Sequence, residues 1–234
     1  MGVASHSKIS ILGIQPRDKI AWALDLVGLM SQGILVPILQ TLVIAKILSW
    51  LLPVYQGSLQ VSPVAAFALS FVGIDYLYYW NHRLLHSKGL WSFHRVHHSI
   101  TDLDILATSR NSVWTIFFIV YLWVQPIFVF LLKDPTYFLA GLILGHSLDL
   151  WRHSGWSWQR ENKLVRFLRS FLIDPQDHEW HHSEDKFHIN YGANLNIWDR
   201  MHGTFHRSPQ RPENVGIKSE ATFKEQFLTP WRIR

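Results

Sequence analysis

Long apolar runs alternate with short polar segments along the first two thirds of the chain. The first run carries only Asp25 and Lys46 as charges, the second carries only Asp75, the third carries none, and the fourth contains His146 and Asp149. The runs cover residues 20–52, 61–80, 113–132 and 137–151. About 20 apolar residues in a helix cross a hydrocarbon core of about 30 Å. The pattern predicts an all-α integral membrane protein with about four transmembrane helices, in which the first run is one long tilted helix or a broken pair.

The positive residues indicate an orientation for these helices. Of the 22 Lys and Arg residues, 13 follow position 150, and most of the others lie in residues 1–19 and 81–112. Residues 53–60, between the first two runs, carry no charge. Cytoplasmic loops are enriched in Lys and Arg. We therefore expect a multi-pass protein of a bacterial inner membrane or the endoplasmic reticulum. The net charge of +5 is then explained by the orientation of the helices in the membrane, and no nucleic-acid partner is predicted.

The composition excludes several kinds of functional site. The chain has no cysteine, which excludes disulfides, thiolate zinc sites, Cys-ligated iron–sulfur clusters and cysteine nucleophiles, but it has 14 histidines. We expect an N-terminal tail and first membrane helix or hairpin in residues 1–60. Residues 61–207 are expected to form the catalytic domain, and residues 208–234 a polar tail.

Most of the histidines fall into three short clusters, HRLLH, HRVHH and HEWHH. Their spacings of three and four residues put each cluster on one face of a helix. The clustered residues are His82, His86, His94, His97, His98, His178, His181 and His182. Between the second and third clusters lies a further pair, Asp149-x-x-x-His153. On the predicted topology, all of them lie on or near the cytoplasmic face.

These histidines are candidate metal ligands because neutral imidazole binds iron, zinc, copper and nickel. They are too many for one ion and indicate about two. Without sulfur ligands and beside a lipid phase, redox iron that activates dioxygen is favoured. A surface metal-buffering tract would be irregular and of low complexity. Three carboxylates, Asp75, Asp149 and Asp177, are expected to orient ligand imidazoles as hydrogen-bond acceptors.

Two sequence blocks carry a family resemblance. Residues 75–99 read DYLYYWNHRLLHSKGLWSFHRVHHS, and residues 174–204 end in NYG-x-x-L-x-x-WD-x-x-x-GT. Over about residues 71–204 the chain resembles the fatty acid hydroxylase/sterol desaturase superfamily of membrane histidine-box di-iron oxygenases. The resemblance implies a four-helix membrane anchor and a cytosolic helical cap that holds two iron ions. It also implies the ligands His82, His86, His94, His97, His98, His153, His178, His181 and His182, with no catalytic residue beyond them.

The chain departs from the family pattern at three places. Asp149 stands where some members have a further histidine, so Asp149 either ligates a metal or hydrogen-bonds a ligand, and the role of His146 stays open. Many relatives have an Arg-x-His-Pro element after the second cluster. Here the segment reads ATSRNSVWT, which contains Arg110 but lacks the His-Pro. His202 stands where an aromatic residue is usual. No special role is assigned to His6, His188, His202 and His206.

The resemblance implies an enzyme that uses dioxygen and two electrons to hydroxylate or desaturate a lipid. A sterol, fatty acyl chain, sphingoid base, alkylglycerol or carotenoid would each fit. The sequence shows no glycine-rich phosphate loop, so a separate cytochrome b5- or ferredoxin-like protein is expected to donate electrons. The alternative is a membrane metal-binding or transport protein without redox chemistry, against which the nearly uncharged apolar runs argue. A scaffold-only pseudoenzyme is disfavoured because the histidine clusters are intact.

Overall fold

The structure is a computed structural model that describes residues 16–156 and 162–233. In these ranges all regular structure is helical, with isolated β-bridges and no strand, so the prediction of an all-α fold is confirmed. His6 lies outside the described residues.

The helices are numbered here in chain order. They are α1 (Lys19–Leu51), α2 (residues 63–85, in segments Pro63–Ala68, Leu69–Gly73 and Ile74–Leu85), α3 (Trp91–His94), α4 (Thr115–Phe118), α5 (Tyr121–Leu131), α6 (Thr136–His153), α7 (Lys163–Arg169), α8 (Pro175–His181), α9 (Ile197–Met201) and α10 (Phe223–Leu228). Short 3-10 turns occur at Pro53–Tyr55, His97–Ser99, Ala107–Ser109 and Pro230–Arg232.

Helix α1 settles the choice left open for the first apolar run. It is one continuous helix that begins where the Asp18 side chain accepts a hydrogen bond from Ala21 N. Two π-helical segments, Ser31–Leu35 and Leu39–Ile44, flank Pro37, whose missing N–H interrupts the regular ladder. Among the described helices, α1 is the one long and apolar enough to cross a membrane, and none of its most apolar window is buried.

The third apolar run does not form the membrane-length helix that its composition predicts. Helix α4 ends at Phe118, Ile119 is extended, and α5 begins at Tyr121. The side chain of Asn81 holds this break, because it donates to Phe118 O at 2.8 Å and accepts from Val120 N at 3.1 Å. A polar side chain from α2 therefore satisfies backbone groups that a continuous helix would have paired.

The helices form a bundle with its loops at one end and its histidines at the other. Helix α2 packs on α6, and residues of α2, α5 and α6 surround a core of Ala66, Ile74, Leu132 and Phe138. Helix α1 packs on α5. At the loop end, Leu59 N donates to Leu131 O at 2.8 Å and Lys133 N donates to Leu59 O at 2.9 Å. The loop between α1 and α2 and the loop between α5 and α6 are thus in contact.

Helix α1 is fixed to the histidine end by a buried ion pair. Arg110 donates to both carboxylate oxygens of Asp25, at 2.6 and 2.8 Å, and Arg17 pairs with Asp25 and with Asp104. Gly28 allows the close approach, because a Cβ at this position would collide with the Ser109 carbonyl. Asp25, a charge within an apolar run, is therefore buried with partners.

Candidate metal centre

The structure gathers all nine predicted ligand residues into two buried groups. Within each group, one ring nitrogen per residue lies within 4.8 Å of the others. The first group is His82, His86, His94, His98 and His181, and the second is His97, His153, His178 and His182. Each histidine cluster of the sequence contributes to the five-membered group, whereas the four-membered group joins the second and third clusters to His153.

Helix ends present most of these side chains. His82 lies in the last turn of α2 with His86 as its C-cap, and His178 and His181 lie on α8 with His182 as its C-cap. Helix α8 begins at a capping box in which Asp174 and Asp177 each accept from the other's backbone N–H.

The second cluster departs from the helical face predicted for it. Helix α3 ends at His94, and His97 and His98 lie in a 3-10 turn. Ser99 Oγ donates to Val96 O at 2.7 Å, and Arg110 Nη1 donates to Ser99 O at 3.1 Å. These bonds stabilise the tighter turn, in which His97 belongs to the four-membered group and His98 to the five-membered group.

Backbone carbonyls fix the orientation of four rings. In each case Nδ1 donates to a carbonyl, so that in the neutral ring Nε2 is the acceptor. The bonds are His82 to Tyr191 O (2.8 Å), His97 to Arg110 O (3.2 Å), His153 to Asp149 O (2.9 Å) and His181 to Ile189 O (2.6 Å). A hydrogen bond to one ring nitrogen is the usual way to aim the other at a metal.

The remaining ring nitrogens fit a bound cation. Nε2 of His153 and Nε2 of His97, both acceptors, face each other at 3.4 Å. Two acceptors cannot hydrogen-bond to each other, but both can ligate a metal ion. Within the described chain, both ring nitrogens of His86, His98 and His182 are buried without a hydrogen-bond partner. Buried polar atoms are rarely left unpaired, so the donor set fits two ions with nitrogen ligands.

Burial also keeps these rings in the neutral form. It lowers the pKa of His82 to about 4, although the bond to the Tyr191 carbonyl opposes the shift. Burial, together with neighbouring histidines, lowers the pKa of His98 and of His182 well below the usual value. A neutral imidazole offers a lone pair, so the rings are ready to bind metal at physiological pH.

The NYG and WD motifs position the first of the orienting carbonyls. Asp199 accepts from Tyr191 N and Gly192 N, each at 2.8 Å, and from Thr204 Oγ1 at 2.7 Å. Asn190 adopts a positive φ of 51°, and its side-chain amide donates to Asp177 O and His206 O. The motif therefore closes a turn that holds Tyr191 O against His82.

Two of the three predicted carboxylate partners have other roles. The prediction that Asp75 binds a ligand imidazole is wrong. Its carboxylate accepts from the backbone N–H groups of Asn194 and Leu195 and from Trp198 Nε1, at 2.8 to 3.1 Å. It therefore ties α2 to the segment after the NYG motif.

The expectation for Asp177 is also wrong, whereas that for Asp149 agrees with the geometry. The Asp177 carboxylate accepts from the Asp174 backbone and pairs with Arg207, because it caps a helix. Asp149 receives His153 Nδ1 on its backbone oxygen and has a carboxylate oxygen 3.3 Å from the same nitrogen. Its carboxylate also pairs with Arg152.

Other histidines lie outside both groups. His202 stacks on Tyr79 with ring centroids 5.1 Å apart, and His188 Nδ1 lies 3.2 Å from the Tyr191 hydroxyl. His146 is exposed on α6 and lines a cavity beside the metal groups. The carbonyl partners of the rings were not predicted from the sequence, in which the NYG motif was the available indication of them.

Comparisons with known proteins identify the class to which this fold and site belong. The fatty acid hydroxylase family model matches residues 67–204, which is more than half of the chain and contains all nine grouped histidines. The chain belongs to the fatty acid hydroxylase family, as its motifs predicted.

Individual relatives are lipid-modifying enzymes by name. The chain is 32% identical over 170 residues to ornithine lipid hydroxylase OlsE of Rhizobium tropici, covering 68% of this chain and 47% of that protein. It is 31% identical over 139 residues to human alkylglycerol monooxygenase, covering 58% and 29%. With mouse cholesterol 25-hydroxylase it shares 30% identity over 140 residues, covering 56% and 44%.

The chain thus spans less than half the length of these three relatives. No solved structure matches it significantly.

Proposed function

We propose that the protein is a membrane-bound non-haem di-iron oxidoreductase that uses dioxygen to hydroxylate or desaturate a lipid. The observation that carries this proposal is the pair of buried histidine groups, in each of which one ring nitrogen per residue lies within 4.8 Å of the others. Several of the buried ring nitrogens have no hydrogen-bond partner within the described chain. The names of the relatives, which include hydroxylases of ornithine lipid and cholesterol and a monooxygenase of alkylglycerol, support a lipid substrate.

The nine grouped histidines would hold two iron ions. Such a pair supplies activation of dioxygen, with two electrons and two protons from outside, and yields one water with an alcohol or two waters with an alkene. The protein's own share is to keep the rings neutral, to aim them through carbonyl bonds and to exclude water by burial. Because the sequence has no glycine-rich phosphate loop, a cytochrome b5- or ferredoxin-like carrier is the proposed electron donor.

The proposed setting is a multi-pass membrane protein with the histidines on the cytoplasmic face. Large apolar side chains cover the outside of the bundle, among them Trp50 (80% exposed), Val64 (78%) and Ile143 (67%). An exposed apolar surface of this kind supports contact with lipid. The two loops in contact at the far end, together with the basic residues near the histidines, support four crossings.

The test is to express the full chain in iron-replete cells, measure iron per chain, and search for lipids that carry 18O from labelled dioxygen or that have lost two hydrogens in a dioxygen-dependent way. We expect about two irons per chain and a hydroxylated or desaturated lipid that is absent from cells without the gene. The double variant His97→Ala and His181→Ala removes one ligand from each group and should abolish the product.

His206→Ala is the matched control, since it removes a histidine that lies outside both groups. Full activity of the double variant would contradict the proposal. Bound metal without any oxygen-dependent product would instead favour a metal-binding or transport protein.

A further inference from the structure

His188, to which no special role was assigned from the sequence, lies at the outer edge of the five-membered histidine group. Its side chain is exposed, and its ring centroid lies 5.7 Å from that of His86. His86 belongs to the five-membered group and is itself buried. A histidine that faces the surrounding solution therefore borders a histidine that is a candidate metal ligand.

His86 is the member of its group that lies nearest to the surface. It is 6% exposed, whereas the other four members are 0–3% exposed. Within the described chain, neither of its ring nitrogens has a hydrogen-bond partner. No carbonyl therefore fixes its ring in the way that Tyr191 O fixes the ring of His82. Of the five rings, His86 is thus the one best placed to receive a cation from outside the group.

The two approaches to the histidine groups differ in chemistry. One is a cavity whose wall includes residues of α1, α2 and α6, helices that carry the apolar exterior of the bundle. The other is the loop of residues 183–188, in which Glu184, Asp185 and Lys186 are exposed. An apolar surface in contact with lipid excludes a hydrated cation, whereas a charged loop in water does not. A metal ion is therefore expected to arrive from the loop side, where His188 lies.

The position of the His188 ring leaves one of its nitrogens for a cation. Its Nδ1 lies 3.2 Å from the hydroxyl of Tyr191, which is 4% exposed. When Nδ1 donates to this hydroxyl, Nε2 keeps a lone pair that can bind a metal ion. Tyr191 also packs against His86, at 5.1 Å between ring centroids. The same tyrosine thus contacts both the outer and the inner histidine.

The two histidine groups adjoin behind His86. The ring centroids of His86 and His98, both in the five-membered group, lie 4.8 Å apart. Those of His98 and His182, which belong to different groups, lie 4.6 Å apart. Imidazole rings therefore follow one another from the surface to the four-membered group, and one point of entry can serve both groups.

We propose that His188 is the entry ligand through which a divalent cation, iron(II) in the proposed function, reaches both histidine groups. The inference rests on the part of the proposed function that assigns iron to these groups. His188 binds the hydrated ion, one water leaves as the nitrogen binds, and His86 then takes the ion over. Because His188 lies outside both groups, it lowers the barrier to entry without adding to the final affinity. A residue of this kind changes the rates of entry and exit by the same factor.

Iron exchange by the full chain tests this inference, with His188→Gln and His188→Glu as a matched pair. A carboxylate is a good ligand for iron(II), whereas an uncharged carboxamide of the same shape is a poor one. Iron loss from the loaded protein to excess bathophenanthroline disulfonate, and iron(II) uptake by the metal-depleted protein, are followed without oxygen. We expect His188→Gln to slow both rates about tenfold and to leave the final iron content unchanged, and His188→Glu to keep both rates within about threefold.

His206→Ala, which removes another histidine outside both groups, is the control and should change neither rate. If His188→Gln does not fold, His188→Ser takes its place with the same expected slowing. Unchanged rates in the folded variant would overturn the inference, as would equal slowing in His188→Glu. Faster iron loss with a lower iron content would also overturn it, because His188 would then stabilise the bound state. Iron exchange that depends on His188, without any oxygen-dependent product, would leave the inference standing and defeat only the proposed oxidation.

Discussion

The orientation of four imidazole rings depends on backbone carbonyls that other residues hold in place. His82 is oriented by Tyr191 O, and that carbonyl is fixed because Asp199 binds the backbone N–H groups of Tyr191 and Gly192. Asp199 is fully buried, so a donor left without its acceptor there cannot turn to water. The WD motif thereby acts on the metal centre through the shape of a turn.

Replacement of Asp199 by Asn should therefore affect both stability and metal binding. The asparagine side chain has an NH2 group in place of one carboxylate oxygen, so one of the backbone N–H groups faces a second donor and loses its acceptor. We expect the free energy of unfolding to fall by about 2 kcal/mol. Bound iron should also fall, because the Tyr191 carbonyl loses its fixed position. Thermal unfolding and metal analysis of the purified protein measure these two effects. Asp185→Asn, at an exposed acid near the third cluster, should change neither quantity. If the Asp199→Asn protein is destabilised but binds a normal amount of iron, the turn held by Asp199 is not needed for iron binding.

At the scale of elements, close packing of α1 on the segment after the second histidine cluster helps to position His97. Gly28 lies against the Ser109 carbonyl, and the neighbouring Arg110 offers its carbonyl to His97. Gly33, further along the same helix, has no atom within 4 Å of its missing Cβ. The two glycines thus differ in packing while sharing one helix.

We expect Gly28→Ala to destabilise the protein and Gly33→Ala not to. The added methyl of Gly28→Ala forces α1 away from Ser109 and should destabilise the protein by about 1–3 kcal/mol. Gly33→Ala should be neutral or stabilising by up to about 1 kcal/mol, since alanine favours the helix. Thermal unfolding in one detergent compares them directly. Equal effects of the two substitutions would show that the contact at Gly28 contributes nothing.

Sequence reasoning succeeded where spacing alone carries the information. The positions of His178, His181 and His182 on one helix end follow from local periodicity. The same periodicity left open whether the first run is one helix or a broken pair, which the structure shows to be one helix. Sequence reasoning failed where a distant residue decides the local structure. Asn81 breaks the third run from a position about 40 residues away, and Arg110 helps to tighten the turn at His97–Ser99. Asp75 and Asp177 were misassigned because their acceptor capacity is used by backbone N–H groups, tryptophan and arginine that no spacing rule identifies.

At the scale of the whole molecule, the bundle has two chemically different ends. The loops around Gln56 and Lys133 meet at one end, whereas the histidines lie at the other, together with basic residues such as Arg110 and Arg207. Between the two ends, the outer surface of the bundle is apolar. The helices that form it differ in length, since α1 has 33 residues and α5 has 11. A bundle of this kind would lie across a membrane with its two histidine groups near one interface.

The absence of cysteine makes this arrangement directly measurable, because a single introduced cysteine has no background. Gln56→Cys and Glu213→Cys place exposed thiols at the loop end and beside the histidine end, respectively. In intact cells whose outer barrier is removed, a membrane-impermeant maleimide should label Gln56→Cys and leave Glu213→Cys unlabelled until the membrane is opened. The positive-inside rule gives this direction, since the basic segments flank the histidines. Labelling of both positions in sealed cells would exclude the four-crossing arrangement, and the reverse pattern would put the metal groups on the outer face.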